Sequence, residues 1–337
     1  MKYILFFLFF LQTSFGLAQF ENSSCQDFAL PENLTKLQET SVAYSVDQST
    51  NQVKLTPKYK RLYVFAEGKL LEELSGDDFV QYHTKYSYSN GKIIGKLAGT
   101  DRVDKLSNNV QRELVQSTYS YSKNGNSEEI NIKKEKPGEE NKGYQSLFEE
   151  SYKNYYNNQG ELVKQERYLG GRINNESIFS KDSIFSKNWT TLVEKTEYLK
   201  NDLVVKSVLN YFENGKKVYE ISEFEYDEQG NVITQIDYGK RKSKNIAGLT
   251  EGINYTYFDY LYKEGFWIIQ VQYFKSKANK GEIWIKELAV RALQVGEQVI
   301  ELKSNDEALS FIEQLKQELI IKVRFVMPWK NGQKSIS

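Results

Sequence analysis

The sequence has very few of the residues that enzyme sites use most often. Its 337 residues include one histidine, His83, and one cysteine, Cys25. Histidine is the usual general base and metal ligand near neutral pH, so a catalytic triad or a typical zinc site would have to use His83. His83 lies in a strand-like stretch, and no Gly-x-Ser-x-Gly motif accompanies it. We therefore predict a non-enzyme with no catalytic, cofactor-binding or metal-binding residues, and no cofactor.

Motifs for phosphate and calcium binding are also missing from the sequence. It contains no Gly-x-x-x-x-Gly-Lys-Ser/Thr loop, no Gly-x-Gly-x-x-Gly and no Asp-x-Asp-x-Asp-Gly loop. Adjacent carboxylates occur at Asp77-Asp78, Glu139-Glu140 and Glu149-Glu150. Neighbouring residues of a strand point to opposite faces, so such a pair cannot hold one substrate unaided. A carboxylate-dependent enzyme that acts on glycans nevertheless stays open as an alternative.

The chain lacks an excess of charge of either sign. Lysine and arginine total 45, and aspartate and glutamate also total 45. A basic field that would attract nucleic acid is therefore absent from the chain as a whole, and we predict no nucleic-acid partner.

Long apolar runs are absent apart from a short one near the start. The run from Ile4 to Leu11 follows Lys2 and precedes the small residues Gly16 and Ala18. This order is typical of a secretory signal peptide, which we place at 1–18. We expect export through the general secretory route to the periplasm, the outer membrane or the extracellular space. No later run approaches the ~20 residues of a membrane-spanning helix, so none is expected in the mature chain.

Tyrosine is abundant, and it recurs in a repeated unit. There are 24 Tyr and 19 Phe but only 4 Pro. The unit has two aromatic residues, a few polar residues, a glycine and then an aliphatic pair. An Asn201-Asp202 version occupies 198–205, and copies with glycine span Tyr86–Ile94, Tyr119–Gly125, Tyr155–Val163, Tyr211–Val218, Phe224–Ile233 and Tyr260–Ile269.

This unit predicts a β-hairpin. Glycine adopts positive φ without a steric clash, so it can close a loop of three to five residues between two strands that are rich in Tyr, Val and Ile. The predicted turn residues are Gly91, Gly125, Gly160, Gly215, Gly230 and Gly265. The fold class that follows is mainly β: an elongated antiparallel array of hairpins in a single or curved sheet, at 41–300.

Alternation along the strands places aromatic side chains in rows. Trp267, Ile269, Val271 and Tyr273 are predicted to share one face, with Ile268, Gln270 and Gln272 on the other. Exposed aromatic residues can bind sugars or proteins, whereas paired ones stabilise the sheet. The possible contact surface comprises Tyr226, Tyr257, Trp267 and Tyr273, for an unknown protein or glycan partner.

The two ends of the chain differ from the repeats. Residues 19–40 are predicted to be an N-terminal extension. Ser304 to Glu307 resembles a helix start, and Ala308, Phe311, Ile312 and Leu315 recur at helical spacing. We predict one helix near 305–318, then a strand over 319–327, which together form a C-terminal cap at 301–337.

The copy at Phe224–Ile233 resembles a YD repeat, the hairpin unit of RHS-type bacterial surface and secreted proteins. Its Tyr226-Asp227, its Gly230-Asn231 and its aliphatic pair match that unit. Residues 155–172 resemble the MORN-variant repeats of small bacterial proteins. The resemblance covers about 85–275 with gaps, implies a hairpin array and transfers no catalytic residue.

The leading hypothesis from the sequence is an exported envelope protein that serves as a scaffold or binding module. A small outer-membrane β-barrel is the second hypothesis, because strand alternation and aromatic residues fit one. The chain ends in Lys334-Ser335-Ile336-Ser337, without the terminal aromatic residue that such barrels usually carry.

Overall fold

The computed structural model describes residues 30–46, 53–103, 110–137, 144–246, 252–275 and 283–326. The predicted signal peptide and Cys25 lie outside these residues. The described residues form 19 strands and one helix, α1. Their bounds are β1 Leu34–Val46, β2 Val53–Ala66, β3 Lys69–Gly76, β4 Val80–Ser89, β5 Lys92–Val103, β6 Val110–Asn124, β7 Ser127–Pro137, β8 Tyr144–Tyr156, β9 Leu162–Leu169, β10 Arg172–Phe179, β11 Ser183–Asn188, β12 Val193–Lys200, β13 Leu203–Glu213, β14 Lys216–Tyr226, β15 Val232–Arg241, β16 Asn254–Lys263, β17 Phe266–Lys275, β18 Ile283–Val295, β19 Gln298–Ile300 and α1 Asn305–Val326.

The sheet closes on itself. Each strand from β1 to β17 pairs antiparallel with the next, and β18 pairs with β1. Leu37 of β1 lies opposite Tyr63 of β2 on one side and Leu293 of β18 on the other. The result is an 18-stranded barrel, with β19 paired only to β18 among the described strands. The mainly β class with a C-terminal helix is confirmed, but the expected open or curved array is wrong, because β1 supplies the pairing that removes both edges.

Two predicted boundaries are also wrong. The closing strand β1 begins at Leu34, inside the segment 19–40 that the sequence assigned to an extension. The helix continues to Val326, where the sequence predicted a strand from Leu319. Short apolar runs with branched residues fit a strand or a buried helix equally well, so local pattern alone could not place the end of α1.

The hairpin turns are tighter than expected. Asn90-Gly91, Asn214-Gly215 and Glu264-Gly265 are two-residue turns in which both residues have positive φ. Such turns match the twist of the flanking strands. Gly125 also closes a two-residue turn, whereas Gly160 and Gly230 lie in the longer loops 157–161 and 227–231. The two longer loops are alike, since the side chains of Asn157 and Asp227 each accept two backbone N–H groups.

A repeated hydrogen bond explains part of the tyrosine content. In seven of the described hairpins a β-bulge follows the turn and leaves one residue of the second strand out of register, and four of the seven share a further contact. A bulge disrupts the hydrogen-bond ladder at that point. In these four a tyrosine from the next strand donates its hydroxyl to the carbonyl beside the bulge: Tyr88 to Leu70 at 2.7 Å, Tyr121 to Ile93 at 2.7 Å, Tyr226 to Val204 at 2.6 Å and Tyr260 to Val232 at 2.8 Å.

The helix packs on one side of the barrel wall. We call this side the helix face; it carries the row in which Val42 pairs with Leu288 and Leu288 with Val271. Ala308, Ile312 and Leu315 of α1 join these residues in the main apolar core. The other side, which carries Leu37, Tyr63 and Leu293, is called the opposite face. The described part of the chain has no helix that is long and apolar enough to cross a membrane.

Two polar contacts hold α1 at its position. Lys316 Nζ donates to Tyr44 Oη at 2.7 Å, and Lys263 Nζ lies 2.6 Å from the Glu307 carboxylate. The ammonium group of Lys263 lowers the pKa of Glu307, so this carboxylate keeps its charge in mildly acidic solution.

Closure can be tested by cross-linking β1 to β18. Thr40 and Val290 are direct cross-strand partners, and such pairs have the Cα separation that a disulfide needs. We expect the variant Thr40→Cys/Val290→Cys, with Cys25→Ser, to form an intramolecular disulfide on oxidation, seen by non-reducing electrophoresis and peptide mass spectrometry. The control Thr40→Cys/Ser177→Cys joins β1 to β10, nine strands away in either direction, and should not cross-link. If neither pair cross-links, the closed barrel is ruled out.

The tyrosine hydrogen bond can be tested at Tyr226. Replacement by Phe removes the hydroxyl and leaves the Val204 carbonyl without that donor. We expect the free energy of unfolding to fall by about 1 kcal/mol, measured by urea denaturation. The control Tyr198→Phe alters a tyrosine that is 41% exposed and should change stability by less than about 0.5 kcal/mol. Equal effects would mean that the bond contributes nothing specific.

Candidate functional site

The predicted aromatic surface is divided between the two faces. Tyr257 and Tyr273 lie together on the helix face, with ring centroids 5.5 Å apart. Tyr273 is buried and donates its hydroxyl to Asp259 at 2.8 Å. Tyr273 therefore belongs to the same apolar core as α1, with Tyr257 packed against that core, and its buried ring is not accessible to a partner.

Trp267 lies on the opposite face. Its ring is 6.0 Å from Tyr260, and the guanidinium carbon of Arg291 lies 3.5 Å from its centroid. The alternation drawn from the sequence placed Trp267 with Ile269, and that assignment is wrong. The register shifts between Leu261 and Tyr262, which leaves Ile268 as an extra residue and turns Trp267 to the other side.

Tyr226 is held by its bond to Val204, so the four predicted aromatic residues do not form one continuous surface. Each of them instead takes part in packing or hydrogen bonding within the wall. The sequence could not reveal this, because a period of two assigns faces correctly only until the first bulge.

Charged residues on the opposite face form a compact cluster around Glu150, which is only 3% exposed. The Glu150 carboxylate accepts hydrogen bonds from Arg167 Nε at 2.6 Å, from Tyr152 Oη at 2.9 Å and from Lys134. A buried carboxylate with three donors is fully satisfied and stays charged. A second pair on this face joins Glu39 to Arg291 at 2.7 Å.

A matching cluster lies on the helix face, one strand further on. The register from strand to strand places Glu166 there, opposite Lys153 and Glu176. Its carboxylate accepts from Tyr168 Oη at 2.7 Å and Tyr155 Oη at 2.9 Å, and lies 2.8 Å from Lys164 Nζ. Lys164 also contacts Glu176 at 2.7 Å. Neither face of the wall is therefore apolar along β7 to β10.

His83 lies on the helix face beside a carboxylate. Its Nε2 is 3.6 Å from Asp101 Oδ2 and has no hydrogen-bond partner. Asp101 is already bound by both Arg112 Nε and Nη2, at 2.8 and 2.7 Å. Two lone-pair directions of the carboxylate are thus occupied, and no serine or cysteine nucleophile contacts His83 among the described residues. The described ranges also contain no group of three or more side chains that could hold a metal ion.

The adjacent carboxylates follow the strand geometry. Glu149 is exposed and pairs across from Lys133, whereas Glu150 is buried across from Ile132. Asp77 Oδ1 accepts the backbone N–H groups of Phe79 and Val80, so it orders its own turn. Glu139 and Glu140 lie outside the described residues. That the chain is not an enzyme remains a prediction.

A groove on the helix face brings together several polar side chains of the described residues. Its volume is about 610 Å³, and it lies over β1 to β4. Lys58, Lys60, Gln81 and His83 are part of its lining. Apart from His83, these positions carry no signal in the sequence, because they converge only through cross-strand pairing.

Comparison with known proteins gives little further information. No protein-family model matches the sequence, and no curated protein matches it. A porin-like protein from Bacteroides uniformis ATCC 8492 has 8% identity and a TM-score of 0.31, over 77% of this chain and 98% of that one. A porin-like protein from Bacteroides vulgatus ATCC 8482 has 9% identity and a TM-score of 0.23, over 79% and 99%. Similarities of this size support no conclusion.

The Glu150 cluster can be tested as a structural element. Glu150→Gln leaves Lys134 and Arg167 facing each other without their counter-charge, so we expect roughly 2 kcal/mol of lost stability in urea denaturation. Glu149→Gln, its exposed neighbour, is the matched control and should change stability by less than about 0.5 kcal/mol. If the two variants behave alike, the cluster does not stabilise the barrel.

Proposed function

We propose that this chain is an exported β-barrel of the bacterial envelope and that it resides at the outer membrane. The observation that carries the proposal is the closed, single-layer sheet of 18 antiparallel strands. A barrel with this number of strands can enclose an aqueous interior, and membrane barrels of bacteria have even strand numbers. A flat or open scaffold would keep two unpaired edges, and this barrel has none in its main wall.

Strand length is compatible with this proposal. Most strands of the barrel have eight to fifteen residues, although β11 has six. A tilted strand needs roughly 9–11 residues to cross a bilayer. The signal-peptide pattern at 1–18 supplies the export step that such a location requires.

The charges limit how such a barrel can sit in a bilayer. Whichever face points outward, it carries ion pairs, since Glu150 with Arg167 lies on one face and Lys164 with Glu166 on the other. A lysine that faces lipid at the bilayer midplane costs about 2–4 kcal/mol, and pairing with a neighbouring carboxylate offsets part of this. The proposal therefore requires these rows to remain paired or to lie outside the hydrocarbon region.

The same charges favour a second candidate function. A barrel that has water on both sides would tolerate ion pairs on both faces at little cost. In that case the protein is a binding module of the periplasm or the extracellular space. This candidate retains the leading hypothesis of the sequence analysis, with a closed barrel in place of an open array.

Fractionation of the native host separates the two candidates. For an outer-membrane barrel we expect the protein in the outer-membrane fraction, soluble only in detergent, and a faster electrophoretic band before boiling than after it. Such heat-modifiable mobility reflects a closed barrel that resists detergent. A chain without residues 1–18 is the control and should remain in the cytoplasm. Release of the full chain by osmotic shock, without detergent, would contradict the outer-membrane proposal and support the water-exposed binding module.

A further inference from the structure

The groove over β1 to β4 is formed by two rows of cross-strand partners on the helix face. Gln38, Leu62, Leu74 and His83 pair in one row. Lys60, Gly76 and Gln81 pair in the next. The two leucines supply an apolar base, while the amide and charged side chains stand at its sides.

Gly76 lies between Lys60 and Gln81 in the second row. It has a φ of +151°, and a Cβ at this position would lie 2.1 Å from the Val80 carbonyl oxygen. No side chain can be accommodated there, because the backbone of Val80 and Gln81 occupies the space that a Cβ would need. The row therefore has backbone, and no side chain, between Lys60 and Gln81.

The charges at the groove favour an anion. Lys58 and Lys60 are exposed and lie two residues apart along β2, and the described residues provide neither of them with a hydrogen bond or an ion pair. Two of the nearest carboxylates already accept hydrogen bonds from other groups. Asp77 caps the turn after β3, and Asp101, beyond His83, is neutralised by Arg112. Asp77 and Asp78 are both exposed acidic side chains of the lining, and Asp77 is the one that caps the turn.

We propose that this groove binds small organic anions through a carboxylate, sulfate or phosphate group. Lys58 and Lys60 hold the charged group, and Gln81 and Gln38 offer amide donors and acceptors to polar groups such as sugar hydroxyls. The leucine base packs against the apolar face of the ligand. This inference is independent of where the barrel resides, since the purified protein can be tested in solution or in detergent.

Titration calorimetry of the purified processed chain tests the site with D-glucuronate as the probe and D-glucose as its neutral counterpart. We expect saturable binding of glucuronate, competition by inorganic sulfate and no binding of glucose. The variant Lys58→Gln/Lys60→Gln should bind glucuronate at least about tenfold more weakly, which corresponds to roughly 1.4 kcal/mol.

The variant Lys123→Gln/Lys200→Gln is the matched control, because it removes the same charge from two exposed lysines on β6 and β12. It should bind as the parent chain does. Circular dichroism of each variant verifies that the barrel is intact. Equal weakening in both double variants, equal binding of glucose and glucuronate, or no saturable binding of glucuronate up to roughly 10 mM would overturn the proposal.

Discussion

Closure of the sheet through β1 is the constraint on which the rest of the structure depends. Thr35 and Gln294, which are hydrogen-bonded across the closing pair, are 259 positions apart in the chain. Without this pairing, β1 and β18 would be the two edges of the sheet. Their free N–H and C=O groups would be open to association with other chains. Closure satisfies these groups, and α1 and the core around Leu37 and Leu293 reinforce the wall at the point where its two ends meet.

Within the wall, bulges and tyrosines act together. Each bulge adds twist and curvature but interrupts the ladder. A hydroxyl from the following strand compensates at the affected carbonyl, as Tyr226 does at Val204 and Tyr260 does at Val232. Val232 is also the cross-strand partner of Tyr226. Tyr226 thus donates to Val204 and is also the strand partner of Val232, the residue that accepts from Tyr260. Successive hairpins are linked in this way.

Both faces of the wall carry charged side chains, and many of these are paired with one another. Buried carboxylates such as Glu150 and Glu166 are satisfied by cations and tyrosines, so they stabilise the wall and are poor candidates for acid or base catalysis. Lys58 and Lys60, by contrast, line the groove and have no hydrogen bond or ion pair among the described residues. This contrast between paired charges in the wall and the lysines of the groove is the basis of the proposed anion site.

The sequence by itself determined the local elements: strands rich in Tyr, Val and Ile, turns at glycines such as Gly91 and Gly230, and a helix that begins near Asn305. These depend on residues within a few positions of one another, and local sterics and periodicity are sufficient to predict them. Only the tertiary structure decided that the sheet closes, that Trp267 turns to the face of Tyr260, and that Lys60 and His83 line one groove. Those outcomes depend on cross-strand register and on pairing between the ends of the chain, and no local pattern encodes either of them.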